Sequence, residues 1–327
     1  MLKTIQPLLF LLITFLFLTS CGKDEIRTNP NPSSFIRLET IGMNVTPKDR
    51  EIEILFRATD FDNEGFSGIT VEDLDVFENG GSIDQEGDLT ITRDSIPFNL
   101  KTVLLLDLTR SVEGLVPQIK AACIAMINQK LPEQKIAIYT FDSGTDLLQN
   151  FTADEATLIT AINSIPETDL VNSTNLYGAI EAMEGLWNDV YSISGIEDGS
   201  LIIFTDGRHN ATPNISLSDA LRAIDGKKRF VAALNGPDLD EASLKILAES
   251  EDRYFKAADV NGLKNMFLKI QEEIQKSSNS IYYMYYQSPI TDPSPYENTL
   301  RVEVKGNSNN LPDAFLEETF NSEGFGN

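Results

Sequence analysis

Positive charge is scarce in this chain. Its 327 residues hold 26 lysines and arginines against 50 aspartates and glutamates, a formal net charge of −24. Nucleic-acid binding needs a basic footprint, so that class of partner is excluded. Docking on anionic lipid by charge is excluded for the same reason. Cysteine is nearly absent. Cys21 and Cys123 alone build neither a disulfide scaffold nor a thiolate zinc site. One histidine, His209, rules out a multi-histidine metal site and leaves a Ser-His-Asp triad no other base. The remaining composition is 41% hydrophobic and 23% charged, enough apolar material for a sizeable core and too much for an acidic disordered chain. The length suggests two domains.

Residues 1–20 read as an export signal: Lys3 supplies the positive start, and Leu8 to Leu18 is an apolar core too short to span a bilayer. The segment ends Leu18-Thr19-Ser20-Cys21, which resembles the lipobox of bacterial lipoproteins. That resemblance implies that Cys21 becomes the first mature residue and carries the lipid. Lys23-Asp24-Glu25 is similar to short charged surface-export signals, so the expected location is membrane-anchored at the outer membrane, facing the periplasm or the cell surface. Residues 21–34, with Asn29-Pro30-Asn31-Pro32, have little to bury and read as a linker.

From Phe35 to about Leu100 the pattern is β. Ile52, Ile54 and Phe56 alternate with Glu53 and Leu55, a mostly two-residue period. The pattern changes near Lys101, where Thr102 to Leu106 is a continuous apolar run, as expected of a strand buried on both faces. Strand and helix then alternate. Val116, Ile119, Cys123 and Ile127 recur at helical spacing, as do Leu176, Ala179, Ile180, Met183 and Trp187, and Leu263, Phe267, Ile270 and Ile274. Ser200 to Thr205 and Arg229 to Leu234 are further buried strands. The predicted fold class is therefore α/β, a doubly wound, mainly parallel, Rossmann-like sheet over residues 101–278. Ile281–Gln287 and Leu300–Lys305 return to strand. Two strands make no stable domain alone, so residues 279–306 are predicted to join 35–100 in a small β-sandwich flanking the α/β unit. Residues 307–327 are predicted to form a loose acidic tail.

Ligands of an open α/β sheet bind beyond the carboxyl ends of its strands. After the first buried strand comes Asp107-Leu108-Thr109-Arg110-Ser111, after the second Thr205-Asp206-Gly207, and before the Leu176 helix Ser173-Thr174-Asn175. Asp107 and Asp206 with the hydroxyls of Thr109, Ser111 and Thr174 are hard oxygen donors. They suit Mg²⁺, Mn²⁺ or Ca²⁺ rather than Zn²⁺ or Cu²⁺.

VLLLDLTRS, STNLYGAI and IIFTDG, in this order, resemble the von Willebrand factor type A domain with its metal-ion-dependent adhesion site. Thr109 stands where that family's pattern has serine, keeping the hydroxyl and adding a methyl. The resemblance implies a bound Mg²⁺, with Mn²⁺ or Ca²⁺ as alternatives. Thr109 and Ser111 would bind it directly, Asp107 and Asp206 partly through water, and Thr174 directly once an acidic ligand is present. It implies an interaction module rather than an enzyme, binding a partner protein's Asp or Glu at the open coordination position. The other reading is a structural scaffold of an envelope complex, whose metal only stabilises loops.

Two further signals are weak. Asp60-Phe61-Asp62-Asn63-Glu64-Gly65 begins like an EF-hand loop, but the twelfth position is Val71 rather than Glu, so a β-turn is expected. His209 lies near Asp206 but has no nucleophile motif beside it and reads as a solvated loop residue.

Overall fold

A computed structural model describes residues 35–83, 89–91, 96–211, 215–294, 296–307 and 314–326. The expected export signal, the expected lipid-bearing Cys21 and the expected linker lie outside them. Among the described residues no helix is long and apolar enough to cross a membrane.

The first strands are β1 (Arg37–Thr46), β2 (Glu51–Thr59), β3 (Leu74–Glu78), β4 (Gly81–Ser82) and β5 (Leu89–Ile91). The α/β unit follows as β6 (Phe98–Asp107), α1 (Val116–Ile127), β7 (Gln134–Phe141), β8 (Thr145–Thr152), α2 (Glu155–Asn163), α3 (Leu176–Glu181), β9 (Val190–Ser192), β10 (Gly195–Thr205), α4 (Leu217–Ala223), β11 (Lys228–Leu234), α5 (Glu241–Leu247), β12 (Tyr254–Ala257) and α6 (Leu263–Asn279). The chain closes with β13 (Ile281–Gln287), β14 (Glu297–Val304) and β15 (Phe315–Asn321).

The fold is mixed α/β with a mainly parallel central sheet. Its order is β12-β11-β10-β6-β7-β8, with β9 pairing β10. Only β8 and β9 run antiparallel to their neighbours. The apolar run of β6 is continuous because both faces of the strand are covered. Leu104 and Leu106 join the core made with α1, α2 and α6, while Val103 and Leu105 join the core made with α3, α4 and α5. Cys123 sits fully buried in the first core, and burial pushes its thiol up to about 12, so it is inert. Helix α6 is fastened by Leu263, Phe267, Ile270 and Ile274, all buried. Each such side chain contributes about 1.5–3 kcal/mol relative to exposure.

Strands from both ends of the chain form two four-stranded antiparallel sheets, β1-β2-β13-β5 and β15-β14-β3-β4. Ile52, Ile54, Phe56 and Ala58 face the core between them. Leu55 points the other way, into a second apolar cluster with Ile281, Tyr283, Ile96 and Ile196. The sheet containing β2 is thus covered on both sides, once by its partner sheet and once by the β9–β10 hairpin. That explains an apolar residue at a position where simple alternation expects a polar one.

The Asp60–Gly65 segment is a turn. The Asp60 carboxylate accepts from Asp62 N–H and Glu64 N–H, both at 2.9 Å. A Cβ on Gly65 would lie 2.5 Å from the Lys276 carbonyl oxygen, so only glycine allows this turn to pack on the end of α6.

Two expectations are corrected. The tail from Asn307 is not loose throughout. Phe315–Asn321 pairs along β14, with Leu316 and Phe320 buried in the sandwich core and Phe325 stacked on Phe320. Leu316 and Phe320, four residues apart on one face, carry the strand despite acidic neighbours. Helix α3 ends at Glu181 rather than running to Trp187. Gly185 takes a left-handed φ of 71°, and Trp187 packs where a Cβ on Gly199 of β10 would lie 2.0 Å from its indole nitrogen. Met183 and Trp187 are core residues on turns rather than on a helical face.

Candidate metal centre

Strand order reverses between β6 and β10. From β6 the chain winds outward through β7, and from β10 outward through β11 and β12. The crevice at such a switch point is where doubly wound sheets bind ligands. The parallel register sets Leu106 beside Phe204, so Asp107 and Thr205 end their strands side by side.

Asp107 is fully buried. Its Oδ1 accepts from the Thr109 amide at 3.0 Å and the Thr109 hydroxyl at 2.7 Å, and its Oδ2 accepts from the Thr205 hydroxyl at 2.6 Å. The Thr109 and Ser111 hydroxyl oxygens lie 3.0 Å apart, and Ser111 donates to Asp206 Oδ1 at 2.7 Å. Asp107, Thr109, Ser111 and Asp206 therefore form one continuous chain of oxygen groups across the switch point. Asp107 and Thr109 form its buried floor and Ser111 its exposed rim.

Thr174 reaches the same end of the sheet by another route. The loop before α3 is held against the first arm by Arg110 N–H donating to Val171 O at 2.9 Å. Asn175 N–H donates to Asp142 O at 2.6 Å, just beyond β7. Thr174 is buried, at 5% exposure, but its hydroxyl takes no part in the hydrogen-bond chain of the other four residues.

Burial pushes the Asp107 carboxyl up to about 6, against the downward pull of the Thr205 and Thr109 hydroxyls, and the nearby Asp206 adds to the rise. Asp206 is raised as well, first by burial, with Asp238 contributing. No lysine or arginine among the described residues offsets either carboxylate. Two desolvated carboxylates, bridged only by neutral hydroxyls, form a donor set that a hard divalent cation fits. Among the described residues no group of three or more His, Cys, Asp or Glu side chains gathers as a metal site, so any cation here depends on hydroxyl donors.

Residues outside the sequence-derived set also shape the site. Thr205 holds the second oxygen of Asp107. The signal for it is a hydroxyl at the last position of a buried strand, directly before Asp206. A Cβ on Gly236, after β11, would lie 2.9 Å from the Asp206 carbonyl oxygen, so that loop presses on the Asp206 backbone. His209 is not simply solvated. It stacks on Tyr177 with centroids 4.4 Å apart, and its Nδ1 accepts from Tyr177 N–H at 3.4 Å.

No curated protein sequence matches the chain. Solved structures that resemble it include proximal thread matrix protein 1 from the mussel byssus, at 14% identity and TM-score 0.44 over 60% of this chain and 49% of that one. The chain thus spans about half the length of the mussel protein, which has also been solved with a zinc-occupied MIDAS motif. A von Willebrand factor type A protein from Catenulispora acidiphila shows 11% identity and TM-score 0.46, over 88% of this chain and 73% of that one. The von Willebrand factor domain of the type V pili tip protein Mfa5 from Porphyromonas gingivalis shows 14% identity and TM-score 0.43, over 55% and 96%. Residues 102–209, which contain all five sequence-derived oxygen donors, match the family model of the von Willebrand factor type A domain.

Proposed function

We propose that the chain is a lipid-anchored envelope protein that binds a partner protein through a divalent cation held at the carboxyl end of the central sheet. Asp107, Thr109, Ser111, Thr174 and Asp206 hold the ion, with Mg²⁺ the first choice and Mn²⁺ or Ca²⁺ alternatives. The observation that carries the reading is the buried Asp107 and half-buried Asp206 carboxylates, joined by hydroxyls at the switch point. When bound, the cation supplies a Lewis-acidic position that an Asp or Glu of the partner fills. The protein's own groups do the rest. Asp107 is pinned by Thr109 and Thr205, so the floor of the site keeps its shape. Ser111 and Asp206 close the side toward β10. Type A domains commonly act as metal-dependent interaction modules rather than enzymes, and the hydroxyls of this site stand as oxygen donors beside its carboxylates. Cys21 places the body at a membrane, with the outer membrane as the proposed location and residues 21–34 as its spacer.

The test is capture from the source organism's envelope with Mg²⁺ or with chelator, using the natural chain and Thr174→Ala. Metal-dependent capture that Thr174→Ala weakens supports the proposal. Capture that persists in chelator instead supports a scaffold whose metal only stabilises loops.

A further inference from the structure

We infer that Asn210 is a positioning residue that aims the Thr174 hydroxyl at the cation, so that the site's third arm depends on a side chain outside the ligand set. The inference rests on the metal-binding reading above. Thr174 sits in an irregular loop, and its hydroxyl is not tied to the four residues that already touch one another. Its backbone, however, is held on both sides by one residue. Asn210 Oδ1 accepts from Thr174 N–H at 2.7 Å, and Asn210 N–H donates to Thr174 O at 3.0 Å. Capturing both polar groups of Thr174 fixes its peptide planes, and so the direction in which its Cβ and hydroxyl leave the chain.

Three neighbouring contacts make the clamp stiff. His209 stacks on Tyr177 and accepts its amide. Asn175, next to Thr174, donates its amide to Asp142 O at 2.6 Å. The Asn175 side chain also caps α3 through Gly178 N–H. Asn210 lies in the loop that begins with Asp206, so a single segment carries both the second carboxylate and the clamp on the third arm. A shift of Asp206 toward an ion is thereby passed to Thr174 through two hydrogen bonds. Asn210 is exposed, so water competes for these bonds and replacing its side chain leaves the core intact.

The test uses Mn²⁺ as probe, with acetate present to stand in for the partner's carboxylate, on the full chain and on Asn210→Ala, Asn210→Asp, Thr174→Ala and the Ala/Ala double variant. Electron paramagnetic resonance titration reads affinity, and water-proton relaxation reads the number of waters on the ion. Asn210→Ala is expected to weaken Mn²⁺ binding about tenfold, as loss of a residue that orients a metal ligand does. It should add one water to the ion, matching Thr174→Ala. The double variant should be no weaker than Thr174→Ala, because both changes remove the same contact. Asn210→Asp keeps the acceptor and should return the natural water count, a rescue that a merely structural role would not give. Amide exchange at Thr174 in the metal-free protein should quicken in Asn210→Ala and not in Asn210→Asp. An unchanged affinity and water count in Asn210→Ala, or additive losses in the double variant, overturns the inference alone. Absence of Mn²⁺ binding by the natural chain overturns the metal reading, and this inference with it.

Discussion

Strand β10 leads from one buried carboxylate to another group of them, and the two ends treat charge differently. Near its start Asp198, 2% exposed, accepts from the Tyr191 hydroxyl at 2.6 Å and lies 3.1 Å from the Lys228 ammonium, which also donates to Ser277 at 2.7 Å. That end neutralises its acid with a cation of the chain itself, and in doing so ties β9, β10, β11 and α6 together. It also lines a polar cleft of about 970 Å³ between the α/β unit and the sandwich. At the other end the side chains that hydrogen-bond Asp107 and Asp206 are neutral hydroxyls. A fold that supplies a lysine for one buried acid and none for the other pair distinguishes a structural charge from one that waits for an ion from outside.

The largest expected effect breaks the internally neutral end. Lys228→Met leaves Asp198 buried without its cation and should cost about 3–5 kcal/mol of folding stability, the usual penalty for removing one partner of a buried pair. Urea unfolding measures it. Mg²⁺ should offset that loss no more than it stabilises the natural chain.

Next comes the effect of the ion itself. At a free concentration 100 times its dissociation constant, Mg²⁺ should stabilise the natural chain by about 2.7 kcal/mol. Asp107→Asn, which keeps the shape but removes the charge, should show little of this gain. Thermal unfolding with and without Mg²⁺, run on both proteins, checks it.

The smallest effect sharpens the geometry. Gly236→Ala pushes a methyl toward the Asp206 carbonyl oxygen and should weaken Mn²⁺ binding about tenfold, near 1.4 kcal/mol. It should leave the Asp198–Lys228 end untouched, which calorimetric titration together with urea unfolding will show.

The fold class was readable because Val103 to Leu106 of β6 and Leu201 to Phe204 of β10 are apolar without interruption, as a sheet covered on both faces requires. Strand β8 was not readable. It is an edge strand whose Leu147 is half exposed, so no hydrophobic period marks it. Strand β15 was hidden by Glu317 and Glu318, which separate Leu316 from Phe320 and break the apolar alternation of the inward face. Trp187 misled the helical period because an aromatic residue at helical spacing can equally fill a niche over a glycine, here Gly199.

At the candidate centre, the donors that follow strand ends stood out as local tripeptides. The roles of Thr205, Gly236 and Asn210 did not, since each acts through a register or a loop contact that spans the sequence. Thr205 meets Asp107 only because β6 and β10 align, and Asn210 meets Thr174 across 36 residues.

The most direct measurement is calorimetric titration of Mg²⁺ and Mn²⁺ into the full chain, Asp206→Asn and Asp198→Asn. One ion per chain should bind the natural protein and folded Asp198→Asn alike, and Asp206→Asn should lose it. Equal binding by all three, or none by the natural protein, would contradict a cation held between Asp107 and Asp206.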